Sequence, residues 1–141
     1  MKKVYASFET HTFFYFRVGE LWMKRNEVID FIDEKYNVGP EGLWKKYPNY
    51  YVFRHRHNRK WFAILMDAPN KTLEIGDKGT TDVLNVKLSK FQVDELLSNH
   101  IKGFLPAYHM NKSTWISAVI EELSDEQIKK LVEASFQNTQ D

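Results

Sequence analysis

The chain contains no cysteine, which excludes disulfides, thiolate zinc sites and cysteine nucleophiles. It also lacks an excess of charge, because 20 basic and 19 acidic residues leave a net charge of +1. A generic polyanion binder carries a stronger positive balance, so any contact with nucleic acid depends on a local patch. The absence of cysteine suits a cytoplasmic protein, and we expect that location.

Long apolar runs are missing as well. No run approaches the roughly 18 residues that a membrane-spanning helix needs, so we expect no membrane association. The N-terminus starts with two lysines, as a signal peptide does, but Glu9, His11 and Arg17 interrupt the apolar region that must follow. The 141 residues, 43% hydrophobic and 28% charged, have the size and composition of one globular domain.

Three helices are predicted. Hydrophobic periodicity places the first over about residues 24–36, and the Asn-Val-Gly-Pro that follows ends it. The second begins after Ser89 and the third after Ser124, because a glutamine three residues on, Gln92 or Gln127, completes a capping box. An apolar pair at the staple positions supports both starts.

Five strand-like runs lie between these helices. They are Tyr50–Arg56, Lys60–Met66, Asp82–Leu88, a segment around Pro106 and Trp115–Glu121. The first two form a hairpin, and Pro106, which has no backbone donor, marks an edge strand. Asn85 alternates with apolar neighbours and is expected to face solvent, and a further short strand is expected near Leu73–Ile75.

The order α-β3-α-β2-α predicts an α+β domain of two layers, an antiparallel sheet with helices on one face. We assign this domain to residues 23–137 and expect residues 138–141 to form a disordered tail. Residues 1–22 form an N-terminal extension. They are either an extra strand or a segment upstream of a true start at Met23.

A basic hairpin is the first candidate site. Six basic residues and no acid lie between Glu41 and Asp67: Lys45, Lys46, Arg54, Arg56, Arg59 and Lys60. Interleaved aromatic residues add stacking surfaces, so this hairpin has the character of a β-ribbon that follows phosphates. The alternative is a solvated hairpin with its aromatic side chains in the core. His55 and His57 share a strand face as metal ligands can, but we expect no metal there.

The second candidate is FLPAYHMNKSTW, residues 104–115. Tyr108, His109, Lys112 and Ser113 carry groups used in acid–base or nucleophilic catalysis. However, no glycine-framed nucleophile elbow surrounds the serine, and no nearby acid is placed to orient the histidine. Asn111 with Lys112 suits a tight turn, and no acid lies between Glu95 and Glu121, which favours contact with an anion. We expect no enzyme activity and no cofactor.

Three segments together resemble the MmcQ/YjbR family of small bacterial proteins: PNYYVFRHRHNRKWFAILMDAP, LNVKL and GFLPAYHMNKSTWISAVI. The resemblance covers about residues 24–136 and implies a fold similar to that of the type III secretion chaperones. It also implies DNA binding, from a double-wing-like arrangement of strands, and no enzymatic activity. In this sequence the signature turn holds Tyr108, His109, Asn111, Lys112 and Trp115.

The sequence therefore predicts DNA binding through the hairpin and the turn. We assign contacts with phosphates to the basic residues Arg54, Arg56, Arg59, Lys60 and Lys112. Tyr108 and His109 are expected to approach bases or sugars, and Asn111 of the same turn is a further candidate contact. Two alternatives stay open. One is a protein- or peptide-binding module that could form a homodimer. The other is a small-molecule pocket lined by Trp61, Tyr108 and Trp115.

Overall fold

Residues 22–141 are described in the structure, which is a computed structural model. Apart from Trp22, the N-terminal extension predicted for residues 1–22 lies outside the described residues. No helix within the described part of the chain is long and apolar enough to cross a membrane.

Within residues 22–141, four α-helices and five strands follow one another. They are α1 (Arg25–Tyr36), β1 (Tyr51–Arg54), β2 (Trp61–Pro69), α2 (Asn70–Leu73), β3 (Thr80–Lys87), α3 (Lys90–Ser98), β4 (Phe104–Pro106), β5 (Trp115–Val119) and α4 (Asp125–Asn138), with a 3₁₀ turn at Ile120–Glu122. The strands form one antiparallel sheet in the order β1-β2-β3-β5-β4. The predicted α+β architecture is confirmed, and β4, with Pro106, lies at an edge as expected.

The long helices all cover the same face of the sheet. Their apolar stripes join the sheet residues Leu65, Leu84 and Ile116 in one core, to which α1 contributes Val28 and Ile32, α3 contributes Val93 and Leu96, and α4 contributes Ile128, Leu131 and Val132. Both predicted capping boxes are present: Ser89 Oγ accepts a hydrogen bond from Gln92 N at 3.1 Å, and Ser124 Oγ accepts one from Gln127 N at 3.2 Å. Each such cap stabilises its helix by about 1 kcal/mol.

Within residues 22–141 the other face carries the short α2 and no long helix, and we call it the helix-free face for that reason. This face is buried too. A second apolar cluster there includes Ile64, Met66, Val83 and Val119, and loop residues cover it. The expectation that Asn85 faces solvent is therefore wrong, because the β4–β5 connection folds over it. Asn85 Nδ2 donates to the Tyr108 carbonyl at 2.8 Å, and its Oδ1 accepts from Ser117 Oγ at 2.6 Å.

The short strand expected near Leu73–Ile75 is a short helix, α2, followed by Glu74 in the left-handed region at φ 61°. Asn70 closes this segment into a loop, since its backbone N–H donates to the Gly79 carbonyl and its side chain donates to the Lys78 carbonyl. These hydrogen bonds hold the segment in a closed loop, so its backbone does not adopt the extended conformation that a strand needs.

Residues 138–141, for which the sequence predicts a disordered tail, contact the rest of the domain. Asn138 is the last residue of α4, and Thr139 is buried. The hydroxyl of Thr139 donates to the Ser135 carbonyl at 2.7 Å and also lies 2.7 Å from His55 Nε2. The β1–β2 hairpin supplies partners for these residues from far away in the sequence.

Gly103 occupies the tight entrance to β4. Its φ is +96°, and a Cβ atom there would lie 2.6 Å from Leu123 Cδ2. We expect Gly103→Ala to lower the free energy of unfolding by at least about 1 kcal/mol, because it adds both backbone strain and a clash. Urea denaturation measures this. Gly39→Ala is the control, since a Cβ at Gly39 meets no atom within 4 Å, and equal losses in both variants would contradict the prediction.

Candidate functional site

The arginines of the β1–β2 hairpin are engaged within the chain. Arg54 Nε donates to Glu41 Oε2 at 3.0 Å, and Arg59 Nη2 lies 3.8 Å from the same oxygen. Arg56 Nη1 donates to the Asn37 carbonyl at 3.2 Å. Arg56 and Arg59 are nevertheless exposed, and surface contacts of this kind are weak enough for a ligand to replace.

The tip of the hairpin rests on the C-terminal residues. His57 Nε2 lies 2.8 Å from the Gln140 carbonyl, and Asn58 Nδ2 donates to that carbonyl at 2.9 Å. Lys60 Nζ donates to the Asp141 carbonyl. These contacts attach the hairpin tip to the end of α4, so the tip lies towards the helix-covered side of the sheet.

The two histidines of the hairpin have partners within the chain. Their ring centroids are 5.4 Å apart, but His55 Nε2 is beside Thr139 and His57 Nε2 is beside the Gln140 carbonyl. Among residues 22–141, no group of three or more histidine, aspartate or glutamate side chains could hold a metal ion. The imidazole rings of His55 and His57 pack against each other and lie within hydrogen-bond distance of C-terminal residues.

The β4–β5 turn differs from the hairpin in its surroundings. Tyr108 is buried, and its hydroxyl lies 2.9 Å from the hydroxyl of Tyr50. His109 is exposed, with a φ of 61° and its ring 4.0 Å from that of Tyr108. Asn111 Oδ1 accepts from Ser113 N at 2.8 Å, which forms the expected turn, and Lys112 Nζ donates to the Ala107 carbonyl at 2.6 Å.

The two basic elements lie at one end of the sheet but pack on different faces. The pairings of Ala63 with Val86 and of Lys87 with Trp115 bring the start of β2, the end of β3 and the start of β5 together. About three strand spacings, roughly 14 Å, separate the hairpin from the turn. The hairpin tip is attached to α4, whereas the turn covers the helix-free face.

A cleft opens on the helix-free face, between the segment that precedes β1 and the β4–β5 turn. It has a volume of about 460 Å³. Its lining is mostly aromatic and apolar: Trp44, Tyr47, Tyr50, Trp61, Ile64, Met66, His109 and Met110. Strand β2 forms its floor. The side chains at its mouth, Trp44 and Tyr47, are 36% and 41% exposed.

The walls of this aromatic cleft are packed against one another. Tyr47 stacks on Tyr50, with ring centroids 4.7 Å apart and an interplanar angle of 15°. Trp44 stands perpendicular to Trp61 at 6.0 Å. Burial, and then the hydrogen bond to Tyr108, raises the pKa of Tyr50 well above its ordinary value. The phenol therefore stays neutral near pH 7 and acts as a hydrogen-bonding group.

Two further hollows flank the structure. One, of about 320 Å³, lies on the other side of His109 and is lined by the edge strand, the C-terminal end of α2 with the following Glu74, and the β4–β5 turn with Lys112. The other, of about 400 Å³, lies beside the start of α1, where Arg25 pairs with Asp82 at 3.0 Å. Neither has the aromatic lining of the cleft.

The YjbR family model matches residues 33–138, which include the hairpin, every lining residue of the cleft and the turn. The chain belongs to the YjbR family. The resemblance seen in the sequence is thereby confirmed.

Relatives agree with this placement. The uncharacterized protein YyaQ of Bacillus subtilis is 36% identical over 118 residues, which are 83% of this chain and 98% of YyaQ. A crystal structure of a Pseudomonas syringae protein is similar, with a TM-score of 0.77, 40% identity and coverage of 83% of this chain and 99% of that one. A Deinococcus radiodurans protein shares the fold alone, at 17% identity and a TM-score of 0.56, over 79% of this chain and 74% of its own.

Part of the cleft of this YjbR protein is predictable from its sequence. Of the predicted pocket residues, Trp61 lines the cleft, while Tyr108 and Trp115 are buried beside it. Trp44 and Tyr47, which also line the cleft, are not among the predicted pocket residues. The available indication was WKKYPN, residues 44–49, in which two large aromatic residues lie in a segment without hydrophobic periodicity.

His55 makes stability depend on pH. Burial, and then the charges of His57 and Lys60, lower its pKa, and only the backbone of Phe136 opposes the shift. The unfolded chain therefore binds a proton more readily than the folded one. We expect the free energy of unfolding to fall as pH decreases through the ordinary histidine value of about 6.5.

Urea denaturation between pH 7.5 and 5.5 tests this, with His55→Gln losing part of the pH dependence. The exposed His100, changed to Asn so that its left-handed backbone is tolerated, is the control. A slope in His55→Gln equal to that of the wild type would show that this histidine is not responsible.

Proposed function

We propose that this YjbR protein is a binding module that holds the planar apolar part of a small molecule in the aromatic cleft. The observation that carries this proposal is an aromatic hollow whose mouth is formed by the exposed rings of Trp44 and Tyr47. Exposed aromatic rings that line a hollow together, rather than being scattered singly, are typical of a ligand-binding groove.

The size of the cleft agrees with such a ligand. Its volume of about 460 Å³ falls within the range of roughly 300–1,000 Å³ that is typical of small-molecule sites. A module for protein partners would show a flat apolar patch, whereas the exposed aromatic residues here surround a hollow. Among the alternatives left open by the sequence, the cleft favours the small-molecule pocket.

The walls also favour binding over chemistry. Tyr47 with Tyr50, and Trp44 with Trp61, are in contact without any ligand, so little ordering is needed when a ring enters. The hydroxyls of Tyr50 and Tyr108 are bonded to each other. We therefore assign the cleft no catalytic role.

The neutral dye N-phenyl-1-naphthylamine, whose fluorescence rises in apolar surroundings, tests the proposal. We expect it to bind the wild type, and Trp44→Ala to weaken binding by about tenfold, because a stacking wall is removed. Phe91→Ala is the matched control: Phe91 is 65% exposed, lies on α3 and does not line the cleft.

Circular dichroism and thermal melts establish that both variants are folded. Absence of dye binding to the wild type, or equal losses in the two variants, would overturn the proposal. A dye complex that changes the molecular mass in solution would instead indicate a protein-binding or dimerising surface.

DNA binding is the second candidate. What favours it is that the hairpin and the β4–β5 turn lie at the same end of the sheet, and that no acid interrupts the sequence between Glu41 and Asp67. In this candidate, phosphates replace the intramolecular partners of Arg54, Arg56, Arg59, Lys60 and Lys112. His109 and Asn111 lie at the exposed turn, whereas Tyr108 supports it from the interior.

A labelled random duplex, titrated by fluorescence anisotropy across a salt series, tests DNA binding. The candidate predicts an affinity that falls by about 0.9 log units per phosphate contact for each log unit of salt. The triple variant Arg54→Ala, Arg56→Ala, Lys112→Ala should lose it. A triple variant of the exposed Lys71, Lys78 and Lys90, also to Ala, changes the net charge equally and should not. Absence of binding at low salt would end this candidate.

A further inference from the structure

We infer that the ligand of the aromatic cleft is an aromatic anion, with its negative group at the mouth beside Lys45 and Lys46. This inference rests on the proposed function and adds the chemical class of the ligand. It comes from the distribution of charge around the mouth, which differs from the near balance of the whole chain.

The wall before β1 is positively charged. Lys45 and Lys46 lie between the two aromatic residues of the mouth, and both are exposed. Lys46 Nζ lies 5.9 Å from the centroid of the ring of Tyr47, a residue that lines the cleft. A lysine near a ring that a ligand stacks on is well placed to meet an anionic substituent.

The acids that bound this stretch are occupied elsewhere. Glu41 is engaged by Arg54 and Arg59, and Asp67 accepts a hydrogen bond from Asn49 Nδ2 at 2.9 Å. Within residues 22–141, neither Lys45 nor Lys46 has an acidic partner within salt-bridge distance. Their charge is therefore available to a ligand.

The opposite wall adds no negative charge to the cleft. His109 lies in this wall, and none of the residues that line the cleft is acidic. The hollow on the other side of His109 contains the carboxylate of Glu74 together with Lys112. An anion at the mouth would thus meet ammonium and imidazole groups and no carboxylate in the cleft itself.

The aromatic walls and the cations would contribute differently to binding. Stacking supplies affinity for any planar ring, while exposed charges add a preference that is modest and sensitive to salt. We expect the two lysines together to improve the affinity of an anionic ligand by about three- to tenfold at low salt. They should leave a neutral ligand of the same shape unaffected.

Two dyes with the same ring skeleton test this. 1-Anilinonaphthalene-8-sulfonate is anionic, and N-phenyl-1-naphthylamine lacks the sulfonate. In the double variant Lys45→Gln, Lys46→Gln we expect the Kd of the anionic dye to rise three- to tenfold and that of the neutral dye to stay unchanged. Added salt should weaken only the anionic dye. The exposed pair Lys90→Gln, Lys102→Gln is the control for net charge.

The outcomes separate the two proposals. If the neutral dye binds in a Trp44-dependent way but the lysine variant affects both dyes equally, or neither, the anion inference is overturned while the proposed function stands. The same holds if the control pair weakens the anionic dye as much. If neither dye depends on Trp44, both proposals fail.

Discussion

The helix-free face of this protein depends on one buried polar network. Asn85, on the central strand β3, donates to the Tyr108 carbonyl, while Ser117 Oγ donates to Asn85 Oδ1 and accepts from Tyr108 N at 2.9 Å. Every member has a partner, so the network fixes the β4–β5 turn in one position over the sheet at little cost. The hydroxyl of Tyr108 then meets that of Tyr50 and sets one wall of the cleft.

The two faces of the sheet have different roles as a result. The helix-covered face holds the larger apolar core and supplies most of the burial that stabilises the domain. The other face is closed by loops, which cover Val83 and Val119 completely but leave Trp44 and Tyr47 partly in solvent. Loops can vary without disturbing the core, and binding sites are often found where a rigid sheet supports them.

Features set by local sequence could be predicted, and features set by distant contacts could not. The capping boxes at Ser89 and Ser124 involve residues three apart, and Pro106 alone marks an edge strand. Alternation in β3 showed that Asn85 and its neighbours point to opposite faces, but not that both faces are covered. The partner of Lys60 is 81 residues away, so no local pattern could show that this cation is engaged.

The intramolecular contacts also decide where positive charge remains available. Glu41 extends the sheet beyond β1, with both backbone hydrogen bonds to Val52 at 2.9 Å, and Arg54 and Arg59 gather around its carboxylate. The arginines thus protect an edge that would otherwise invite strand pairing. Among the described residues, Lys45 and Lys46 form no salt bridge with a carboxylate. In the most basic stretch of sequence, Arg54 and Arg59 of the hairpin therefore have a carboxylate partner within the chain, whereas Lys45 and Lys46 have none among the described residues.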